Sequence, residues 1–81
     1  MPNIPPAVQR GHLFQTARRA LNQSPKNIAA VLGVASDRTI RRWEGNKLDI
    51  PPYVWVVLLT ALDENGERKL AEDIATELNK N

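Results

Sequence analysis

The sequence predicts an all-α fold: a compact five-helix domain, one unit over residues 1–81. Three observations predict it. Apolar residues recur at helical spacing in successive segments. Helix punctuation separates those segments: Ser24-Pro25 and Pro51-Pro52 open two of them, and Gly33 and Gly66 lie just past the ends of two. Finally, 81 residues with 42% hydrophobic and 25% charged side chains suffice for one core and are too few for two.

Residues 1–6, Met-Pro-Asn-Ile-Pro-Pro, cannot open a helix cleanly and are expected to form an extended arm. A first helix is expected over Ala7–Asn22, with Leu13, Phe14, Ala17 and Leu21 on its inner face. Gly11 weakens its first turns, and His12, the only histidine, is expected at the surface or in a cap. Ser24 is the N-cap candidate of the second helix, and Pro25 fills its first position, where a missing N–H costs nothing. Ile28, Ala29, Val31 and Leu32 form its apolar face, and Gly33 ends it in the left-handed conformation. Ser36 or Asp37 can cap the third helix, and Asp37 is the preferred cap. That helix carries only two large apolar residues, Ile40 and Trp43. Trp43, three residues after Ile40, is expected in the core rather than stacked on a nucleic-acid base. Ile28, Val31, Leu32, Val34, Ile40 and Trp43 should together fill the space between the two helices. Arg38, Thr39, Arg41 and Arg42 are left facing out with Asp37, and an arginine-rich helix face suits a major groove.

Ser24 to Asn46 resembles the helix-turn-helix of the Cro/repressor-type (Xre-like) DNA-binding family. The resemblance rests on Ile28-Ala29, Leu32-Gly33-Val34, Thr39-Ile40 and above all Arg42-Trp43-Glu44, followed by Gly45-Asn46. With weaker detail it extends over residues 8–62. Two departures stand out. The turn between Gly33 and Trp43 is one residue longer than the family pattern, and Pro25 replaces a polar residue that touches DNA. The resemblance implies that Asp37, Arg38 and Arg42 reach base edges, and Thr39 and Arg41 complete the expected base-contacting set. Arginine can donate two hydrogen bonds to guanine O6 and N7; Asp37 could accept from cytosine N4. Phosphate contacts are expected from Ser24, Lys26, Asn27 and Ser36 near the two helix starts, and from Asn46 and Lys47 in the polar exit turn. By the same resemblance Arg18 matches a first-helix arginine that pairs with Glu44 and sets the angle between the first and third helices.

Leu48 to Pro52 reads as a linker. Tyr53 to Leu62 is apolar on all sides; its β-branched content also permits a strand, but the proline start, its length and the family's fourth helix favour a helix. Val54, Val57, Leu58, Ala61 and Leu62 would cover the helix-turn-helix, leaving Trp55, Val56 and Leu59 in need of another partner. A last helix is expected over residues 67–79, with Leu70, Ile74 and Leu78 at four-residue steps beside Ala71 and Ala75. It either folds back over Trp55 and Leu59 or pairs with its copy in a second subunit. Trp55, Leu59, Leu70 and Ile74 are the expected contacts of a two-fold homodimer, which would set two recognition helices one DNA turn apart.

Charge is uneven along the chain. Residues 1–50 hold eight basic and three acidic side chains, and residues 51–81 hold three basic and six acidic ones, within a net charge of +2. A basic front half suits a polyanion. There is no cysteine, which excludes disulfides and cysteine-zinc sites and fits a reducing cytoplasm. No signal peptide is visible, and the longest apolar run, Val54 to Leu59, is far short of a membrane span. An enzyme is disfavoured, because there is no paired histidine, glycine-rich phosphate loop or nucleophile–base pair. No cofactor, metal or small-molecule effector is expected. The expected function is a sequence-specific regulator of transcription that binds double-stranded DNA. It would be a small homodimeric (auto)repressor that reads a palindromic operator through the major groove, of a kind common in bacteria and phages. The alternative is a protein-interaction module or antitoxin using the apolar Trp55 region.

Overall fold

Local signals set the helix ends. The Ser24 hydroxyl accepts the Asn27 N–H at 3.1 Å, Pro25 opens the helix, and Gly33 closes it in the left-handed conformation at φ 74°. The Gly33 and Val34 N–H groups then satisfy carbonyls of the last turn. A computed structural model describes residues 6–79, with side chains from Arg10 onward, and shows five helices: α1 (Pro6–Ala20), α2 (Pro25–Leu32), α3 (Asp37–Glu44), α4 (Pro52–Glu64) and α5 (Arg68–Leu78). No strand occurs among the described residues. Pro6 belongs to α1 rather than to the expected arm, whose other residues, 1–5, lie outside those described. Proline fits there because a first-turn N–H has no intrahelical partner.

α1 is the central element, packing against α3, α4 and α5, while α2 pairs with α3 and α4 with α5. Phe14 of α1 is fully buried between two tryptophans. Its ring meets Trp43 of α3 edge-on at 5.6 Å between centroids and Trp55 of α4 at 6.3 Å. Such T-shaped contacts place ring edges against π faces and add about 0.5–1.5 kcal/mol each beyond area burial. Ala17, Ile28, Ala29, Leu32, Ile40, Val54, Leu58, Leu62, Ala71 and Ile74 complete the core.

Three placements correct the sequence reading. Val31 does not join the core; it is 60% exposed. An eight-residue helix buries one narrow stripe, and Ile28, Ala29 and Leu32 occupy it. Ile50 is buried, so the expected linker contributes to the core. Trp55, expected as a dimer contact unless the last helix folded back over it, is covered within the chain, with Phe14 against its ring. α5 folds back on α4 and α1 and buries Ile74, while Leu59 and Leu70 pack half-buried against the same core. The Trp55 indole Nε1 is the only buried side-chain nitrogen or oxygen without a hydrogen-bond partner among the described residues.

α1 also holds α3 by charge. Arg18 grips Glu44 in a bidentate pair, Nε to Oε2 at 2.5 Å and Nη2 to Oε1 at 3.2 Å. Arg18 Nη1 donates to the Gln23 carbonyl at 2.9 Å, and Gln15 Nε2 donates to Glu44 Oε1 at 3.3 Å. Both charged side chains are only 11% exposed. The pair is therefore not an exposed one worth a few tenths of a kcal/mol. Breaking a buried pair strands the remaining charge, at a cost of about 3–5 kcal/mol. Arg18→Ala is expected to lose about that much in urea unfolding, whereas Arg18→Met with Glu44→Leu should lose far less. A double variant as unstable as Arg18→Ala would show that packing, not charge, explains the loss.

Candidate nucleic-acid interface

α2, the turn after Gly33 and α3 form a helix–turn–helix whose inner face is apolar and whose outer face is cationic. Ile40 and Trp43 point into the core, and Arg38, Arg41 and Arg42 are exposed, with Thr39 half-buried between the two faces. The cap position at the start of α3 falls to the alternative candidate, Ser36, and not to the preferred Asp37. Ser36 occupies the N-cap position in extended backbone, although its hydroxyl makes no cap bond. Asp37 is the first helical residue, and its carboxylate pairs with Arg41 Nη2 at 3.1 Å, four residues on. A carboxylate in the first turn also suits the positive end of the helix dipole. Asp37 and Arg41 thus neutralise each other on the surface of α3.

Arg38 and Arg42 have no such partner among the described residues. They sit four apart on one face of α3, an arrangement of like charges that destabilises a helix by about 0.2–0.5 kcal/mol when nothing opposes it. Lys26 at the start of α2 and Lys47 beyond α3 are likewise exposed and unpaired among the described residues. The cations of α5 behave differently. Arg68 bonds Asp63 at 2.9 Å and Lys69 bonds Asp73 at 3.0 Å. Each is held above its ordinary pKa, first by that hydrogen bond and then by the partner's charge. The uneven charge seen in the sequence is sharpened by the fold, which pairs cations on α5 and leaves them open around α3.

Not every expected phosphate contact is equally open. Ser24 Oγ is engaged in the α2 cap, while Asn27 and Lys26 are exposed beside it. Asn46 adopts a left-handed conformation at φ 61° and turns its Oδ1 toward α1, where it accepts the Gly11 N–H at 3.1 Å. Its side-chain oxygen therefore serves the fold. Gly11, Gln15 and Gln23 were not singled out for any role by the sequence reading; the signal in the sequence was Gly11 itself, a glycine inside a helix. Of the expected dimer contacts, Trp55 and Ile74 lie inside the chain and Leu59 and Leu70 are half-buried. Among the described residues, the large apolar side chains that do face out are Val31, Leu48, Tyr53 and Val56.

Among the described residues no group of histidine, cysteine or carboxylate side chains could hold a metal ion, and no helix is long and apolar enough to cross a membrane. What the site can do is present fixed cations to an anion. Comparison with protein-family models, curated proteins and solved structures finds no match to this chain.

The two cap serines should separate in a stability measurement. Ser24→Ala is expected to cost about 1 kcal/mol, the usual loss of an N-cap hydrogen bond. Ser36→Ala, with no such bond to lose, should cost only a few tenths. Equal losses in thermal unfolding would contradict the cap assignment.

Proposed function

We propose that this chain is a sequence-specific double-stranded DNA-binding regulator of transcription that lays α3 into the major groove. The observation that supports it most directly is the pair Arg38 and Arg42, exposed, without an acidic partner among the described residues, and on one helix face opposite the buried Ile40 and Trp43. Two guanidinium forks at that spacing suit neighbouring guanines, each fork donating to O6 and N7. Thr39 and the Asp37–Arg41 pair flank them. Lys26 and Lys47, at the entrance and exit of the helix–turn–helix, suit the phosphates on either side. The resemblance of Ser24 to Asn46 to Cro/repressor-type proteins points the same way. A domain of this size that covers a promoter would act by steric blockage, as a small cytoplasmic repressor of bacterial or phage type, its own gene included among the targets. A protein-interaction module built on Trp55 is less favoured, since that ring is covered by the chain's own core.

Two kinds of contact predict two kinds of defect. Arg38→Ala and Arg42→Ala should each cost about 1–3 kcal/mol of discrimination at one base position. Lys26→Ala and Lys47→Ala should weaken binding to every sequence and lower the log–log salt slope by about 1. Footprinting on the gene's upstream region, followed by titrations of operator and random duplex at several salt concentrations, measures both. Arginine variants that weaken the two duplexes equally would reduce α3 to a phosphate contact.

Operator-grade affinity usually needs more than one short helix, so the regulator is proposed to act as a homodimer on a palindrome. The contact face is the outside of α4 rather than the residues named from the sequence. Tyr53 is 50% and Val56 66% exposed, and Val31 of α2 stands across a groove that Val57 and Ala61 line. No charged residue occurs between Asp49 and Asp63. Two copies can therefore meet there about a two-fold axis without like-charge repulsion. Sedimentation equilibrium at micromolar concentration should find a dimer that Val56→Asp converts to a folded monomer. A wild-type monomer that occupies its operator as a single copy would remove the two-fold arrangement.

A further inference from the structure

We infer that Gly11 and Asn46 are positioning residues that set how α3 is seated, and through that seating set sequence discrimination rather than DNA affinity as such. The inference rests on α3 as the reading helix. Gly11, Gln15 and Arg18 follow one another on one stripe of α1 at i, i+4 and i+7, so they face the same neighbour. All three grip the C-terminal end of α3: Gly11 through Asn46, Gln15 and Arg18 through Glu44. Arg18 and Gln15 do so with long side chains that can adjust. Gly11 does so with its backbone, which cannot.

The approach at Gly11 is close enough to exclude any side chain. A Cβ there would lie 2.5 Å from Asn46 Oδ1, 2.7 Å from the Glu44 carbonyl oxygen and 2.7 Å from the Trp43 carbonyl oxygen. The Asn46 amide could swing aside. The two carbonyls belong to the last turn of α3 and move only with the helix. To restore ordinary contact, that end of α3 would have to retreat from α1 by several tenths of an ångström. Ile40 and Trp43 anchor the helix in the core, so such a retreat tilts the whole of a helix only eight residues long.

Tilt has different consequences for the two classes of contact. Bidentate arginine–guanine pairs need heavy-atom distances within about 2.7–3.2 Å and near-linear angles. Lysine reaches phosphate with a flexible four-carbon stem and tolerates small displacements. Seating therefore controls base reading selectively. Asn46 completes the seat from the other side: its left-handed backbone brings the side-chain oxygen back onto the Gly11 N–H.

The test compares Gly11→Ala and Asn46→Gly with wild type, each checked for a cooperative thermal transition. Selected operator and random duplex are titrated at several salt concentrations. Asn46→Gly keeps a residue at ease at positive φ and removes the side chain that carries the Oδ1 acceptor without adding volume, so it is expected to fold if Gly11→Ala does not. Each folded variant should lose about tenfold in the operator-to-random affinity ratio, with random-duplex affinity and salt slope unchanged. An unchanged ratio in a folded variant overturns the inference. So does an equal loss on both duplexes, which would make Asn46 a phosphate contact and Gly11 a matter of packing. A wild-type chain that shows no operator preference at all removes the reading of α3 itself, a result distinguishable from the other two because it precedes any substitution.

Discussion

The buried pair between Arg18 and Glu44 is the constraint on which the placement of α3 depends. A charge removed from water must be met on nearly every bonding direction or it costs several kcal/mol. Here the guanidinium meets a carboxylate through two hydrogen bonds and a backbone carbonyl through a third, and Gln15 adds a donor to the carboxylate. The geometry that satisfies these groups is narrow. If α3 rotates or slides, one charge is left without its partner in a site that water barely reaches. An apolar contact at the same place would tolerate sliding; a fork-to-carboxylate contact does not.

The aromatic cluster supplies the complementary, less directional part. Phe14 touches both tryptophans, and the two tryptophans come from α3 and α4. Burying one ring of α1 thus joins the helix–turn–helix to the α4–α5 pair. With only 81 residues there is little core to share, and α1 carries both devices: Phe14 and Ala17 on one stripe, Gly11, Gln15 and Arg18 on the next. With its inner face so engaged, α3 has only its outer face left for charge. Asp37 and Arg41 compensate each other there, and Arg38 and Arg42 are not compensated within the described chain. An anionic partner would relieve their repulsion.

Much of this was legible in the residues. Ser24-Pro25 and Gly33 bound α2 because capping and left-handed closure are local properties. Ile40 and Trp43, three apart, had to share the buried side of α3. The pairing of Arg18 with Glu44 was implied by resemblance, although nothing in the sequence told how deeply it is buried. Other features were not legible because they depend on which surfaces meet. Asp37 looked like a cap, yet the turn brings Ser36 to that position. Gly11 looked like a weak point in a helix, and its reason lies 35 residues away at Asn46. Trp55 looked surplus because α4 is apolar all round, and only the docking of α1 and α5 shows which of its faces are covered.

By itself the sequence determined the number and type of elements, their approximate ends and the division of α3 into an apolar and a cationic face. Those follow from backbone propensity, capping and periodicity, all of which act within a few residues. Tertiary structure decided which cations remain open, which glycine is a close approach, and which apolar face of α4 is left outside. Those depend on contacts between residues far apart in the chain, where charge, volume and hydrogen-bond direction must agree at once.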